Sequence, residues 1–185
     1  DGPNSLDYKN NLVVLELDHL KGKKHLQQVV LLQLIAQLNN EFYLGDRRVP
    51  KILLVDEAWE AFEDPMVAKF LEGAFRRMRK AAAAPVVVTQ SLRDLYNSAS
   101  GEAIANNAAN VIVLRQNGEA IEALKESGRF NIGDYGYEML KSLHTEPGQY
   151  SEVLFRSGTA WGVGRFVVDR FSQLLYSTMA SEVAA

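Results

Sequence analysis

Two neighbouring carboxylates directly follow a short apolar run, and this is the pair of residues in the sequence best suited to chemistry. Ile52-Leu53-Leu54-Val55 leads into Asp56-Glu57. In open α/β sheets, ligands bind outside the carboxyl ends of parallel strands. We expect Asp56 to bind Mg²⁺ through a water ligand, because Mg²⁺ keeps much of its hydration. We expect Glu57 to orient and polarise the water that attacks a phosphoryl group. The alternative is a pair of acids that the dipole of the next helix favours.

A second apolar run, Val86-Val87-Val88, ends in the short polar residues Thr89-Gln90-Ser91. A neutral amide beside the two carboxylates could hydrogen-bond a γ-phosphate or the attacking water. Gln90 would then report the state of the nucleotide to the loop over 92–100. The alternative is a polar turn in which Ser91 caps the next helix.

A run of basic residues, Arg76-Arg77-Met78-Arg79-Lys80, ends the helical pattern that follows the acidic pair. A helix dipole favours cations at this end, and Glu72 and Arg76 have the i, i+4 spacing of an ion pair. The sharper hypothesis is an arginine finger that enters a neighbouring subunit's active site and stabilises the transferring phosphoryl group. Arg76 is the first candidate and Arg79 the second.

Four short runs of Val, Ile and Leu predict the strands that position these residues. Each run is nearly continuous rather than alternating, which is typical of strands covered on both faces. The runs are Leu12–Leu17, Ile52–Val55, Val86–Val88 and Val111–Leu114. Helical patterns lie between them, so we expect βαβ crossovers and a parallel sheet.

The remaining elements follow from periodicity and turn residues. The segment 26–40 is apolar nearly all round and predicts a largely buried helix, whereas 66–80 has one apolar face. Two alternating runs, 150–156 and 161–168, flank Ser157-Gly158-Thr159 and predict an antiparallel hairpin. We expect a loop over 133–136 and a terminal helix over 171–178.

The composition fits one globular α/β domain over 1–185, with 47% hydrophobic and 23% charged residues. A net charge of −3 gives no overall basic signature of nucleic-acid binding, but DNA stays open as a partner, because a motor can confine its nucleic-acid contacts to local basic patches in a few loops. The absence of cysteine excludes disulfides and thiolate metal sites. No apolar run approaches the ~20 residues that span a bilayer, so we expect any membrane association to be peripheral. Zincin and serine-hydrolase motifs are missing, and so is the phosphate-binding G-x-x-x-x-G-K-[ST].

Four stretches together resemble the C-terminal ATPase domain of the TraC family, the conjugation ATPases of F-type type IV secretion systems. They are Leu12–Leu17, Lys51–Trp59, Val88–Ser91 and Arg165–Thr178. The resemblance implies an α/β fold with a RecA-like P-loop NTPase core, a mainly parallel sheet flanked by helices, and a C-terminal antiparallel hairpin. It matches Asp56 and Glu57 to the Walker B pair and Gln90 to the glutamine motif. The arginine that acts in trans would be Arg76 or Arg79.

The resemblance also implies ATP and Mg²⁺ as cofactors, a homo-hexamer, and hydrolysis that drives pilus assembly and substrate transfer. The partners would be other secretion components, with the protein cytoplasmic and peripheral at the bacterial inner membrane. The Walker A loop precedes this segment in such proteins, so we expect the 185 residues alone to be monomeric and inactive. Ala81–Ala84 stands where a junction containing tyrosine and glycine is expected. Two alternatives remain: a DNA-translocating hexameric ATPase of the coupling-protein or FtsK/HerA type, and a non-catalytic docking module on an ATPase scaffold.

Overall fold

The structure is a computed structural model that describes residues 10–20 and 22–176. The chain forms two compact units, and the first ends at Val88 while the second begins at Thr89. Both units combine helices with strands. No helix among the described residues is long and apolar enough to cross a membrane.

The first unit is built around two parallel strands joined by helices. Its regular elements are a 3₁₀ helix Asp18–Leu20, α1 Lys24–Asn39, a π-helical turn Asn40–Leu44, β1 Lys51–Val55, α2 Ala58–Glu63, α3 Pro65–Arg77, a 3₁₀ helix Met78–Ala81 and β2 Ala83–Val87. Strands β1 and β2 pair in parallel, with Lys51 opposite Ala83 and Val55 opposite Val87. This confirms the predicted parallel pairing of the strands that precede the acidic pair and Gln90.

Local sequence explains why α3 begins and packs where it does. Asp64 is its N-cap and accepts hydrogen bonds from the backbone N–H groups of Met66 (2.8 Å) and Val67 (3.2 Å). Pro65 occupies the first turn, where its missing N–H costs nothing. The predicted apolar face is confirmed, because Val67, Leu71 and the residues Ala74 and Met78 are all buried. Ala74 and Met78 pack with Phe42 and Ala83 in one core cluster.

Four predictions of burial in this unit are wrong. Leu12–Leu17 forms no strand, and Leu12 and Val14 are 80% and 70% exposed. Strand β1 alternates in burial, with Ile52 and Leu54 71% and 61% exposed. Strand β2 also alternates in burial, with Val86 38% exposed. Helix α1 forms as predicted, but none of its described residues is buried. Burial on both faces of an apolar element needs a second packing layer, and the described residues provide cover on one face only.

The second unit holds an antiparallel sheet and five helices among its described residues. The elements are α4 Leu92–Tyr96, α5 Ala99–Asn107, β3 Asn110–Val113, α6 Gly118–Ser127, α7 Gly133–Ser142, β4 Thr145–Glu146, β5 Tyr150–Ser157, β6 Ala160–Phe166 and α8 Arg170–Tyr176. Strand β5 pairs antiparallel with β3, β4 and β6. The predicted hairpin is confirmed by β5 and β6, which Gly158 joins with φ +58°.

The core of this unit lies on one face of the sheet, where Leu154, Val113 and Phe130 are almost fully buried among helices. The strand predicted near 111–114 exists as β3, but it is not covered on both faces, since Ile112 is 66% exposed. It is antiparallel to β5, so among the described residues parallel pairing is limited to β1 and β2. The predicted loop over 133–136 is wrong, because these residues begin α7. A Cβ on Gly136 would lie 2.7 Å from Ile132 Cβ, so this glycine serves close packing rather than a turn. The terminal helix is confirmed as α8, and residues 177–178 lie outside the described part.

Candidate functional site

Asp56 and Glu57 lie at the carboxyl edge of the parallel pair. The backbone ladder continues past β1, since Val88 N–H donates to the Val55 carbonyl at 3.0 Å. Ala58 N–H in turn donates to the Val88 carbonyl at 3.0 Å, and Ala58 is completely buried. These contacts hold the turn that carries both carboxylates, and both side chains are exposed to solvent. The acids therefore occupy the sheet edge that the sequence predicts for them.

Glu57 has a left-handed backbone conformation, with φ 48° and ψ 42°. Such a conformation costs roughly 1–2 kcal/mol for a residue with a Cβ. Its N–H donates to Oδ1 of Asp56 at 2.9 Å, which stabilises the turn locally. Glu57 precedes α2 as its N-cap residue but gives the helix no side-chain cap. Helix capping thus does not account for this residue, and strained backbone of this kind clusters at functional sites.

The residues at this edge fit Mg²⁺. In nucleotide sites this ion uses one or two carboxylates, several waters and the phosphates of the substrate. Asp56 is exposed to solvent, and its Oδ1 accepts from Glu57, whereas its other carboxylate oxygen has no hydrogen-bond partner among the described residues. The described residues contain no group of three or more His, Cys, Asp or Glu side chains that could hold a metal alone. A metal bound here would accordingly depend on water and substrate oxygens for most of its ligands.

The two candidate arginines lie at the opposite edge of the parallel pair. The Lys51 N–H donates to the Ala82 carbonyl at 3.0 Å, so the segment after α3 lies beside the start of β1. The five residues of β1 separate this edge from the acids by about 16 Å. Arg76 pairs with Glu72 at 2.8 Å, as the i, i+4 spacing predicts, and Arg79 is exposed. Within one chain the arginines are not brought together with Asp56 and Glu57.

Gln90 is an exposed residue of the second unit, two positions after Val88. Its contact with a nucleotide beside the acids stays a prediction. The predicted cap is confirmed, because the Ser91 hydroxyl accepts from Arg93 N–H at 3.1 Å and the Asp94 carboxylate accepts from Ser91 N–H at 3.0 Å. This capping box fixes the backbone immediately after Gln90 at the start of α4.

One special position in the first unit was not predicted. Ala82 has φ 54° and ψ 36°, and it joins the 3₁₀ helix Met78–Ala81 to β2. A signal for it was available, because a glycine is expected in this junction and glycine adopts a left-handed conformation without steric cost.

Comparisons with known proteins agree on one family of folds. Residues 3–184 match the family model described as the TraG P-loop domain. The chain is 29% identical to Protein TraC of Escherichia coli strain K12 over 125 residues, which are 65% of this chain and 14% of TraC. The structure of VirB4 of Thermoanaerobacter pseudethanolicus matches with a TM-score of 0.66 and 21% identity, covering 93% of this chain and 46% of VirB4. This chain therefore spans less than half of either relative, and the predicted α/β RecA-like P-loop fold is confirmed.

Proposed function

Because the chain belongs to the TraG P-loop domain family, we propose that it is part of an ATP-hydrolysing motor that drives pilus assembly and substrate transfer in a conjugative type IV secretion system. The observation that carries this proposal is the strand-end pair, with Asp56 and Glu57 on a strained turn at the carboxyl edge of two parallel strands. The similarity to TraC over 125 residues supports the same assignment.

Each residue has a separate task in the proposed reaction. Asp56 would hold Mg²⁺, which supplies charge neutralisation on the triphosphate when it is bound. Glu57 polarises and orients the attacking water, and Gln90 hydrogen-bonds the γ-phosphate or that water. Arg76 or Arg79 stabilises the transferring phosphoryl group in the neighbouring subunit's site. The separation of these arginines from the acids within one chain supports an action in trans.

The assembly and location follow from the same family. We propose a homo-hexamer of the longer protein, cytoplasmic and peripheral at the inner membrane, which contacts other secretion components. Residues 1–185 form part of a single P-loop ATPase domain, as the match over 3–184 supports. The phosphate-binding loop would be supplied by sequence outside these 185 residues, so the isolated chain hydrolyses ATP negligibly.

The test is Glu57→Gln in a longer protein that includes the phosphate-binding loop. The substitution keeps the size of the side chain and removes its basicity, so we expect kcat for ATP hydrolysis to fall about 10²–10⁴-fold. Binding of ATP should persist, because the phosphate loop and Asp56 remain. The matched control is Glu63→Gln, an exposed glutamate at the end of α2. Equal hydrolysis rates for Glu57→Gln, Glu63→Gln and the unchanged protein would refute the assignment of the water-activating residue.

A further inference from the structure

An open groove of about 410 Å³ lies on the first unit, away from the acidic pair. It is lined by Asn39, Tyr43, Arg47, Arg77, Lys80 and Ala81. The groove adjoins the start of β1, because Ala81 precedes the residue whose carbonyl accepts from Lys51. It therefore lies at the sheet edge opposite Asp56 and Glu57.

The charged side chains that line this groove are all positive. Three of its residues, Arg47, Arg77 and Lys80, are cations, and none of the residues that line it is acidic. The chain as a whole carries a net charge of −3, so this concentration of positive charge is a local feature. Like charges that converge in this way repel one another. An anionic ligand would relieve the repulsion.

The cations of the groove also differ from their neighbours in pairing. Arg48 and Arg76 lie outside the groove, and each pairs with a carboxylate at 2.8 Å. Among the described residues, no carboxylate forms an ion pair with Arg47, Arg77 or Lys80. The Arg77 side chain bends back so that its Nε donates to the Gly73 carbonyl at 3.4 Å. Its Nη1 and Nη2 atoms can then donate to a ligand.

An aromatic ring completes the groove. Tyr43 is half-buried, because one side of its side chain packs against the core cluster that contains Phe42 and Met78. A ring fixed by core packing loses little side-chain entropy when a planar group stacks on it. Grooves that bind single-stranded nucleic acid combine cations along the phosphate backbone with aromatic side chains on which bases stack, and this groove has both.

The helix ends around the groove favour a polymer over a free nucleotide. The π-helical turn ends at Leu44, and α3 and the following 3₁₀ helix end at Arg77 and Ala81. The groove is thus bordered by carboxyl ends of helices, whose carbonyls carry partial negative charge. Mononucleotide sites use backbone N–H groups at amino ends of helices to cradle phosphates. Here the phosphate contacts must come from side-chain charges, as in grooves that follow a nucleic-acid backbone.

We propose that this groove binds single-stranded nucleic acid, with phosphates on Arg47, Arg77 and Lys80 and one base stacked on Tyr43. The site is independent of the ATPase assignment, because none of its residues belongs to the strand-end pair. The dipoles of the helix ends could by themselves explain why cations stand at positions 77 and 80. They do not explain Arg47, which lies in the loop after the π-helical turn.

Fluorescence anisotropy of a labelled oligothymidylate with the 185-residue chain tests the proposal. Three neutralised phosphates predict a slope of about −2 for log K against log salt concentration, at about −0.7 per phosphate. Arg47→Ala and Lys80→Ala should each weaken binding and reduce the size of the slope by about 0.7. Arg115→Ala, an exposed arginine of the second unit, is the charge-matched control, and neither it nor Glu57→Gln should change the affinity.

Substitutions of Tyr43 separate stacking from charge. Tyr43→Phe should retain binding, and Tyr43→Leu should weaken it about five- to hundredfold without changing the salt slope. If a thermal melt shows that Tyr43→Leu does not fold, Arg47→Ala and Lys80→Ala still test the proposal. Undetectable binding, equal losses in Arg47→Ala, Lys80→Ala and Arg115→Ala, or competition by ATP as strong as by unlabelled oligothymidylate would each overturn the proposal.

Discussion

Replacing Glu57 by glycine separates two effects of this residue: the backbone strain of the Asp56–Glu57 turn and the proposed activation of the attacking water. Glu57 adopts φ 48° and ψ 42°, its side chain is exposed, and it gives α2 no cap. The folded state therefore gains little from this side chain and bears the strain of its Cβ. We expect Glu57→Gly to stabilise the first unit and to abolish the proposed ATPase activity of the longer protein.

The size of the gain follows from two opposing terms. A left-handed residue with a Cβ costs roughly 1–2 kcal/mol, which glycine would relieve. Glycine also has greater freedom in the unfolded chain, which costs about 0.5–1 kcal/mol. The free energy of unfolding should rise by about 0.5–1 kcal/mol. For an m-value of about 2 kcal/mol/M, the midpoint of urea unfolding should shift upwards by roughly 0.3–0.5 M.

Tryptophan fluorescence can report on the first unit alone. The two tryptophans of the chain lie in different units, Trp59 in α2 and Trp161 in β6. In a Trp161→Phe background, urea unfolding would follow the surroundings of Glu57. Ala82→Gly, also at positive φ, should stabilise by a similar amount, whereas Ala84→Gly in the extended strand β2 should destabilise by about 0.5–1 kcal/mol. A lower midpoint for Glu57→Gly, equal to that of Ala84→Gly, would refute the argument from backbone strain.

Two further predictions concern packing and pH in the second unit. Gly101→Ala should lower the free energy of unfolding by about 1–3 kcal/mol, because its Cβ would overlap the Leu95 carbonyl oxygen; Gly118→Ala, with open space around it, should stay within about 0.5 kcal/mol in the same urea titration. Burial raises the pKa of Tyr137, whose hydroxyl donates to the Phe130 carbonyl. Its contribution to stability is therefore complete below the unfolded-state pKa of about 10 and is lost as the pH rises through the higher folded-state value. Tyr137→Phe should cost about 1 kcal/mol at neutral pH and make the alkaline decline in urea midpoint shallower, and an unchanged decline would contradict this cause.

Local signals predicted the elements whose causes lie within a few residues, whereas α2, α5, α6 and β4 were not predicted and the start of α7 was predicted as a loop. Asp64-Pro65 starts α3, and the capping box that begins at Ser91 starts α4, both as the residue types favour. The partners of these elements depend on distant residues instead. Ile112 in β3 lies opposite Phe155 in β5, and no local pattern specifies that register or its antiparallel direction. The exposure of Leu12–Leu17 depends in the same way on what packs beside it.

In the candidate site, too, features with local causes could be predicted and features that depend on distant residues could not. The position of Asp56 and Glu57 follows from the apolar run before them, since a strand that ends in two acids delivers them to a sheet edge. The left-handed backbone of Glu57 was beyond prediction, because the buried Ala58 and its bond to Val88 help to hold that turn. The cationic groove was missed for a related reason. It joins residues 39–47 to residues 77–81, two segments that only the tertiary fold brings together.

The crossover from β1 to β2 also limits how the candidate arginines can act. A helix that connects two parallel strands returns from the carboxyl edge of the first to the amino edge of the second. Helix α3 does this here, so its last turn and the 3₁₀ helix after it lie beside the amino end of β1. Arg76 and Arg79 are thereby kept about one strand length, roughly 16 Å, from the Asp56–Glu57 turn of their own chain. If either arginine stabilises a phosphoryl group during hydrolysis, that group is bound at the acidic pair of another subunit, and the proposed motor requires an assembly of several chains.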